Sequence, residues 1–117
     1  MYLLDVNVLL AAYYSKHVHH ARAMRWLGDL PRSETLTRFA TCSITEIGFV
    51  RVASGKHVKM AENVTAAMRD LKILTEQRPF TFLSDPLGAD QLPGWVNRPA
   101  HVTDGHLLAL ARANVAK

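Results

Sequence analysis

The apolar positions of this 117-residue chain change their period several times, and each change marks the border of a strand or a helix. Tyr2 to Asp5 reads as a short strand that ends on an acid, and Asn7 to Tyr14 continues as a short apolar helix. After Ser15-Lys16 a second helix is predicted from about Val18 to Leu30, where Ala21, Met24, Leu27 and Trp26 recur at helical spacing. Pro31 closes that unit, and the polar residues Arg32 to Thr37 form a loop. Arg38 to Cys42 is a second short strand, after which Ser43 is placed to cap a helix over Ile44 to Ala53, ended by Gly55. A longer amphipathic helix is predicted over about Lys59 to Glu76, with Met60, Val64, Ala67, Met68, Leu71 and Leu74 on its apolar face. Pro79 opens a third strand, Phe80 to Leu83, followed by the loop Ser84 to Gly88 and by irregular chain from Leu92 to Pro99. The last helix runs from Thr103, as N-cap, to about Asn114, and buries Leu107, Leu108, Leu110 and Ala111. Strands separated by helices predict a parallel α/β sheet.

Length and composition narrow the class without naming a function. The chain fits one domain over 1–117, with 49% hydrophobic and 21% charged residues, the balance of a folded globular protein. A formal net charge of +4 favours polyanionic partners weakly, because the Lys and Arg residues are scattered and form no basic tail. The single cysteine, Cys42, excludes an internal disulfide and suits a reducing cytoplasm. No stretch approaches the roughly 20 apolar residues that span a bilayer, so neither membrane insertion nor secretion is expected.

The acids change the picture most. Asp5 ends the first strand, Glu46 lies in the first turn of the helix after the second strand, and Asp104 lies in the first turn of the last helix. In a parallel sheet, strand ends and the helix starts that follow them collect along one edge, where ligands bind. Carboxylates gathered there repel one another, and a divalent cation relieves the repulsion; oxygen donors without clustered Cys or His select Mg²⁺ or Mn²⁺ over zinc. Such a centre activates water and stabilises in-line displacement at a phosphodiester. Taken singly, Glu46 and Asp104 also fit helix N-termini as dipole partners, so spacing alone leaves both readings open.

Three words resolve into a family resemblance: Leu3-Leu4-Asp5-Val6-Asn7-Val8-Leu9-Leu10, Ser43-Ile44-Thr45-Glu46-Ile47-Gly48-Phe49-Val50-Arg51, and Val102-Thr103-Asp104-Gly105-His106-Leu107-Leu108-Ala109-Leu110-Ala111. Together, in this order and over nearly the whole chain, they resemble the PIN-domain family, specifically the VapC-like ribonuclease toxins of bacterial toxin–antitoxin pairs. The resemblance implies a three-layer α/β/α fold around a central parallel sheet. It also implies an endoribonuclease in which Asp5, Glu46 and Asp104 bind Mg²⁺ or Mn²⁺ and activate water. Asn7 matches a polar position near the metal, Thr103 a hydroxyl able to orient the third acid, and Arg51 a basic position with a support or RNA-phosphate role, a salt bridge on its own helix being the alternative. A cognate VapB-like antitoxin and a homodimer are the implied partners.

The chain departs from the family pattern at one point. The family continues beyond the helix of the third acid into a further strand whose end carries a fourth acid in a Thr-x-Asp-like word; here the sequence stops at Lys117, and Asp85 and Asp90 lie upstream in loops. Relative to that pattern the fold is C-terminally shortened. Three acids are expected to hold one metal with weaker catalysis, and the edge of the first strand is expected to lie open. A competing reading follows: an impaired PIN domain that binds an antitoxin or forms oligomers. A deoxyribonuclease or flap-type nuclease is disfavoured, because the chain lacks the additional arches and helices of those enzymes.

The remaining candidates have structural alternatives. His17, His19 and His20 crowd the start of the second helix as solvated residues, with chelation by His17 and His20 the less favoured role. His101 and His106 flank Asp104, where a structural role competes with contact to RNA. Tyr13, Tyr14, Trp26 and Trp95 offer rings for base stacking, against packing in the core or at an interface; Trp95, set among Pro93, Gly94 and Pro99, is the best exposed candidate.

Overall fold

A computed structural model describes residues 1–30, 38–78 and 80–116. Pro31, the loop Arg32 to Thr37, Pro79 and Lys117, all used in reading the sequence, lie outside these described residues. The elements follow the order β1 (Tyr2–Leu3), α1 (Val6–Tyr13), α2 (His20–Asp29), β2 (Phe39–Cys42), α3 (Ser43–Ser54), α4 (Val64–Gln77), β3 (Phe80–Leu83) and α5 (Val102–Ala113). Short 3₁₀ turns at Ala89–Gln91 and Pro99–His101 lie in the irregular segment before α5.

The three strands form a parallel sheet in the order β1-β2-β3, with Tyr2 opposite Phe39 and Phe39 opposite Phe80. Central β2 is buried along its whole length, which accounts for its unbroken apolar and small-residue sequence. Its side chains alternate between two cores. Phe39 joins Leu4, Leu9, Leu10, Tyr14, Leu27, Phe49 and Leu71 under α1 to α4, whereas Ala40 and Cys42 join Leu83, Leu107 and Leu110 under α5. This is a layered α/β/α arrangement. Among the described residues β1 and β3 are the two sheet edges, as expected for β1.

Several boundaries differ from the expectation, each for a local reason. Helix α3 begins at Ser43, so its N-cap is Cys42 and not Ser43; the buried Thr45 hydroxyl accepts the Cys42 N–H at 2.9 Å and closes the first turn. Helix α4 starts at Val64, five residues later than its apolar pattern suggested. Asn63 caps it by accepting the Ala66 N–H at 2.8 Å, and Lys59, at φ 37°, cannot continue a right-handed helix. Met60 still reaches the core, from the preceding turn. Thr103 does not cap α5: the N-cap position belongs to His101.

Burial corrects the apolar faces as well. Of the predicted α2 stripe only Leu27 is buried: α2 packs mainly on α1, with Trp26 edge-on against Tyr2 of β1, while Ala21 and Met24 stay exposed. Val64 and Met68 of α4 are exposed, and Leu108 of α5 is partly so, while Ala67, Leu71 and Leu74 are buried. The hydroxyls of Tyr13 and Tyr14 both donate to Asp70, at 3.2 and 2.7 Å, tying α1 to α4. Burial first, and then the Asp70 carboxylate, push the Tyr14 phenol well above its ordinary range. These tyrosines therefore pack and do not present rings for stacking.

Candidate metal and RNA site

The parallel sheet brings the carboxyl ends of β1, β2 and β3 to one edge, and the sequence places an acid after each: Asp5, Glu46 and Asp85. Asp5 is the N-cap of α1, where Oδ1 accepts the Val8 N–H at 2.9 Å. One oxygen is thereby fixed to the helix start, and Oδ2 makes no hydrogen bond among the described residues. Asp104, exposed in the first turn of α5, lines the same pocket as Asp5, a cleft of about 210 Å³ walled by Leu3, Leu107 and Leu108. Glu46 is half-buried in the first turn of α3, where Oε2 accepts the hydroxyl proton of Thr41.

Two of the three predicted acids therefore share a pocket and the third does not. Glu46 lines a separate groove of about 820 Å³ between α3 and α4, together with Ile47, Arg51 and Met68. Among the described residues no three His, Cys, Asp or Glu side chains stand close enough to hold a metal ion together. The oxygen donors of Asp5 and Asp104 match the chemistry of a hard divalent cation, which the two residues would hold together with water.

The supporting residues are placed as follows. Asn7 is exposed on the first turn of α1, and Arg51 is exposed near the end of α3 without the salt bridge considered for it. Thr103 is exposed and makes no hydrogen bond to Asp104. His106 turns away from Asp104 and pairs with Asp85, whose other oxygen accepts the Leu87 N–H at 3.1 Å. That pair joins the chain after β3 to α5, a structural role. His17 accepts the His19 N–H on Nδ1 at 3.0 Å, and burial, then His19 and His20, lower its pKa; His20 Nδ1 contacts the Ala11 carbonyl at 2.7 Å, so the Nδ1 atoms of both rings are engaged within the protein.

Thr41 is the residue that the sequence reading missed. Its only signal was a hydroxyl in an otherwise apolar strand, five positions before an acid, and the bond to Glu46 needs the strand-to-helix turn to form. Gly48 is the second. A Cβ added there would lie 2.5 Å from Val6 Cγ2, so the close approach of α3 to the start of α1 requires glycine. Gly48→Ala is expected to destabilise the fold by about 1–3 kcal/mol less the ~1 kcal/mol gained in helix propensity, and to move Glu46 relative to Asp5. Urea denaturation checks this, with Val6→Ala restoring stability in the double variant; additive losses would rule the clash out.

The chain is thus an α/β/α protein whose parallel sheet carries acids after the carboxyl ends of its strands. No family model matches the chain. Curated relatives do: it is 39% identical over 115 residues to Ribonuclease VapC38 of Mycobacterium tuberculosis, covering 96% of this chain and 78% of the relative. It is 40% identical over 114 residues to Ribonuclease VapC39, and 39% identical over 119 residues to Ribonuclease VapC44, from the same organism, in each case over 79% of the relative. The chain belongs to the VapC family of PIN-domain ribonuclease toxins.

Proposed function

We propose that this chain is an endoribonuclease toxin that hydrolyses RNA phosphodiester bonds with the help of Mg²⁺ or Mn²⁺, working as a single domain in the cytoplasm. The observation that carries the reading is its identity of about 40% to three ribonucleases over more than nine-tenths of its length. Asp5 and Asp104 would hold the ion, and Glu46 would add the third negative charge from the start of α3. When bound, the ion supplies a water of lowered pKa and charge stabilisation at phosphorus. The Val8 N–H orients Asp5, and the Thr41 hydroxyl fixes Glu46 so that Oε1 is left as the acceptor for a proton. A VapB-like antitoxin and a second copy of the chain are the proposed partners. The α3–α4 groove supports protein contact, because Ile47 and Met68 are 66% and 58% exposed there.

That Glu46 lines the α3–α4 groove and not the Asp5–Asp104 pocket favours one second reading, a PIN domain that binds its antitoxin without turnover. Incubating the purified chain with single-stranded RNA and with DNA of the same sequence separates the two. Cleavage of RNA in Mg²⁺ or Mn²⁺ that stops in excess EDTA is expected; antitoxin binding with no cleavage under any metal would establish the second reading instead.

A further inference from the structure

The α1–α2 interface leaves a groove of about 590 Å³, separate from the cleft that Asp5 shares with Asp104. Its size falls within the roughly 300–1,000 Å³ of ordinary ligand sites. Asp5 is among its lining residues, so the same carboxylate that shares a pocket with Asp104 also lines this second cavity. Asn7, His19, Arg22 and Trp26 line it as well. The groove follows the contact of α2 with α1, and Leu27 is the one buried residue of α2.

Its chemistry is selective. Arg22 is exposed and makes no ion pair or hydrogen bond among the described residues, so its guanidinium has all its donors available. Trp26 is 38% exposed and held edge-on by Tyr2, ring centroids 5.5 Å apart at 83°, which fixes the indole plane while leaving part of it open. A cation for phosphate and a held ring for a base, in one groove that also includes the candidate metal carboxylate, is the pairing used to hold single-stranded nucleic acid. An acidic or purely apolar partner would not need both.

We propose that the α1–α2 groove is the subsite for the RNA strand next to the scissile bond, with Arg22 on a phosphate and Trp26 stacked on a base. The proposal rests on the ribonuclease reading and adds where the strand runs. It is tested without turnover, using Asp5→Asn protein in EDTA, so that neither cleavage nor the Asp5 charge enters, and a fluorescein-labelled ten-nucleotide single-stranded RNA. Arg22→Ala should weaken binding about five- to tenfold and make the slope of log affinity against log salt shallower by about 0.7. Trp26→Leu should weaken it about tenfold and abolish quenching of tryptophan fluorescence by RNA, whereas Trp95→Leu should leave affinity and quenching in place. Unchanged RNA affinity in both groove variants would overturn the proposal, including the case in which the groove seats a protein. Wild-type protein that cleaves RNA while both groove variants bind normally refutes the subsite alone; a chain that neither binds nor cleaves RNA refutes the ribonuclease reading and the subsite together.

Discussion

Asp5→Asn is expected to fold as stably as the parent and to lose RNA cleavage by about a hundredfold or more. The two effects separate because Asp5 does two jobs with two oxygens. Oδ1 caps α1 by accepting the Val8 N–H, and an asparagine carbonyl performs that task about equally well. The charge is what a divalent cation requires, and an amide lacks it. Asp5→Ala loses both, so it should cost a further ~0.5–2 kcal/mol of stability through the missing cap. Two measurements check this: cleavage of a labelled RNA in Mg²⁺, and the thermal shift on adding Mn²⁺, which should stabilise the parent and not Asp5→Asn. An Asp5→Asn protein that cleaves at the parental rate would remove Asp5 from the metal site.

Phe49→Ala should have the largest effect on stability, a loss of about 3–5 kcal/mol. Phe49 is fully buried and stacks on Tyr14, with ring centroids 5.7 Å apart at 17°, at the point where α3 meets α1. Its removal opens a cavity that Thr45 and Gly48, packed on the same helix, are too small to fill. Against a total stability of about 5–15 kcal/mol for a domain, a loss of that size leaves a substantial unfolded population. Phe49→Leu, which keeps most of the volume, should lose less than half as much. Urea denaturation midpoints at constant slope measure both; a Phe49→Ala loss below 1 kcal/mol would mean that the α1–α3 contact is not the centre of the core. Because α3 also carries Glu46, this core sets the position of the third acid.

Much of the fold was legible in the chain. The third strand, Phe80–Leu83, lies where its apolar run and bounding residues put it, and every predicted helix is present. The misplaced boundaries lie where local hydrogen bonding outweighed periodicity, at Cys42 with Thr45 and at Asn63. The misjudged faces lie where an element has a neighbour on one side only: Met24 of α2 and Met68 of α4 have helical spacing yet remain exposed. A period shows that a stripe exists, but only the neighbouring elements decide whether it is covered.

The candidate site divides in the same way. Parallel topology led to the expectation that Asp5, Glu46 and Asp104 collect along one edge of the sheet, and the three words around them pointed to the VapC ribonucleases, which are relatives of this chain. Which acids meet was not legible, because it depends on how α3 and α5 pack on either side of β1. Asp104 arrives beside Asp5 on the α5 side, whereas Glu46 is drawn toward Thr41 and the α3–α4 groove. His106 shows the point most simply. In sequence it stands two residues from Asp104, but a helix turns it about 200° away, toward Asp85, a residue brought near only by the end of β3. The sequence alone determined the order of elements and the parallel α/β class, since both follow from periodicity and from strands alternating with helices. Tertiary structure decided which carboxylates share a pocket and which ring and guanidinium line the groove beside Asp5, because those distances are set by helix packing between segments far apart in the chain.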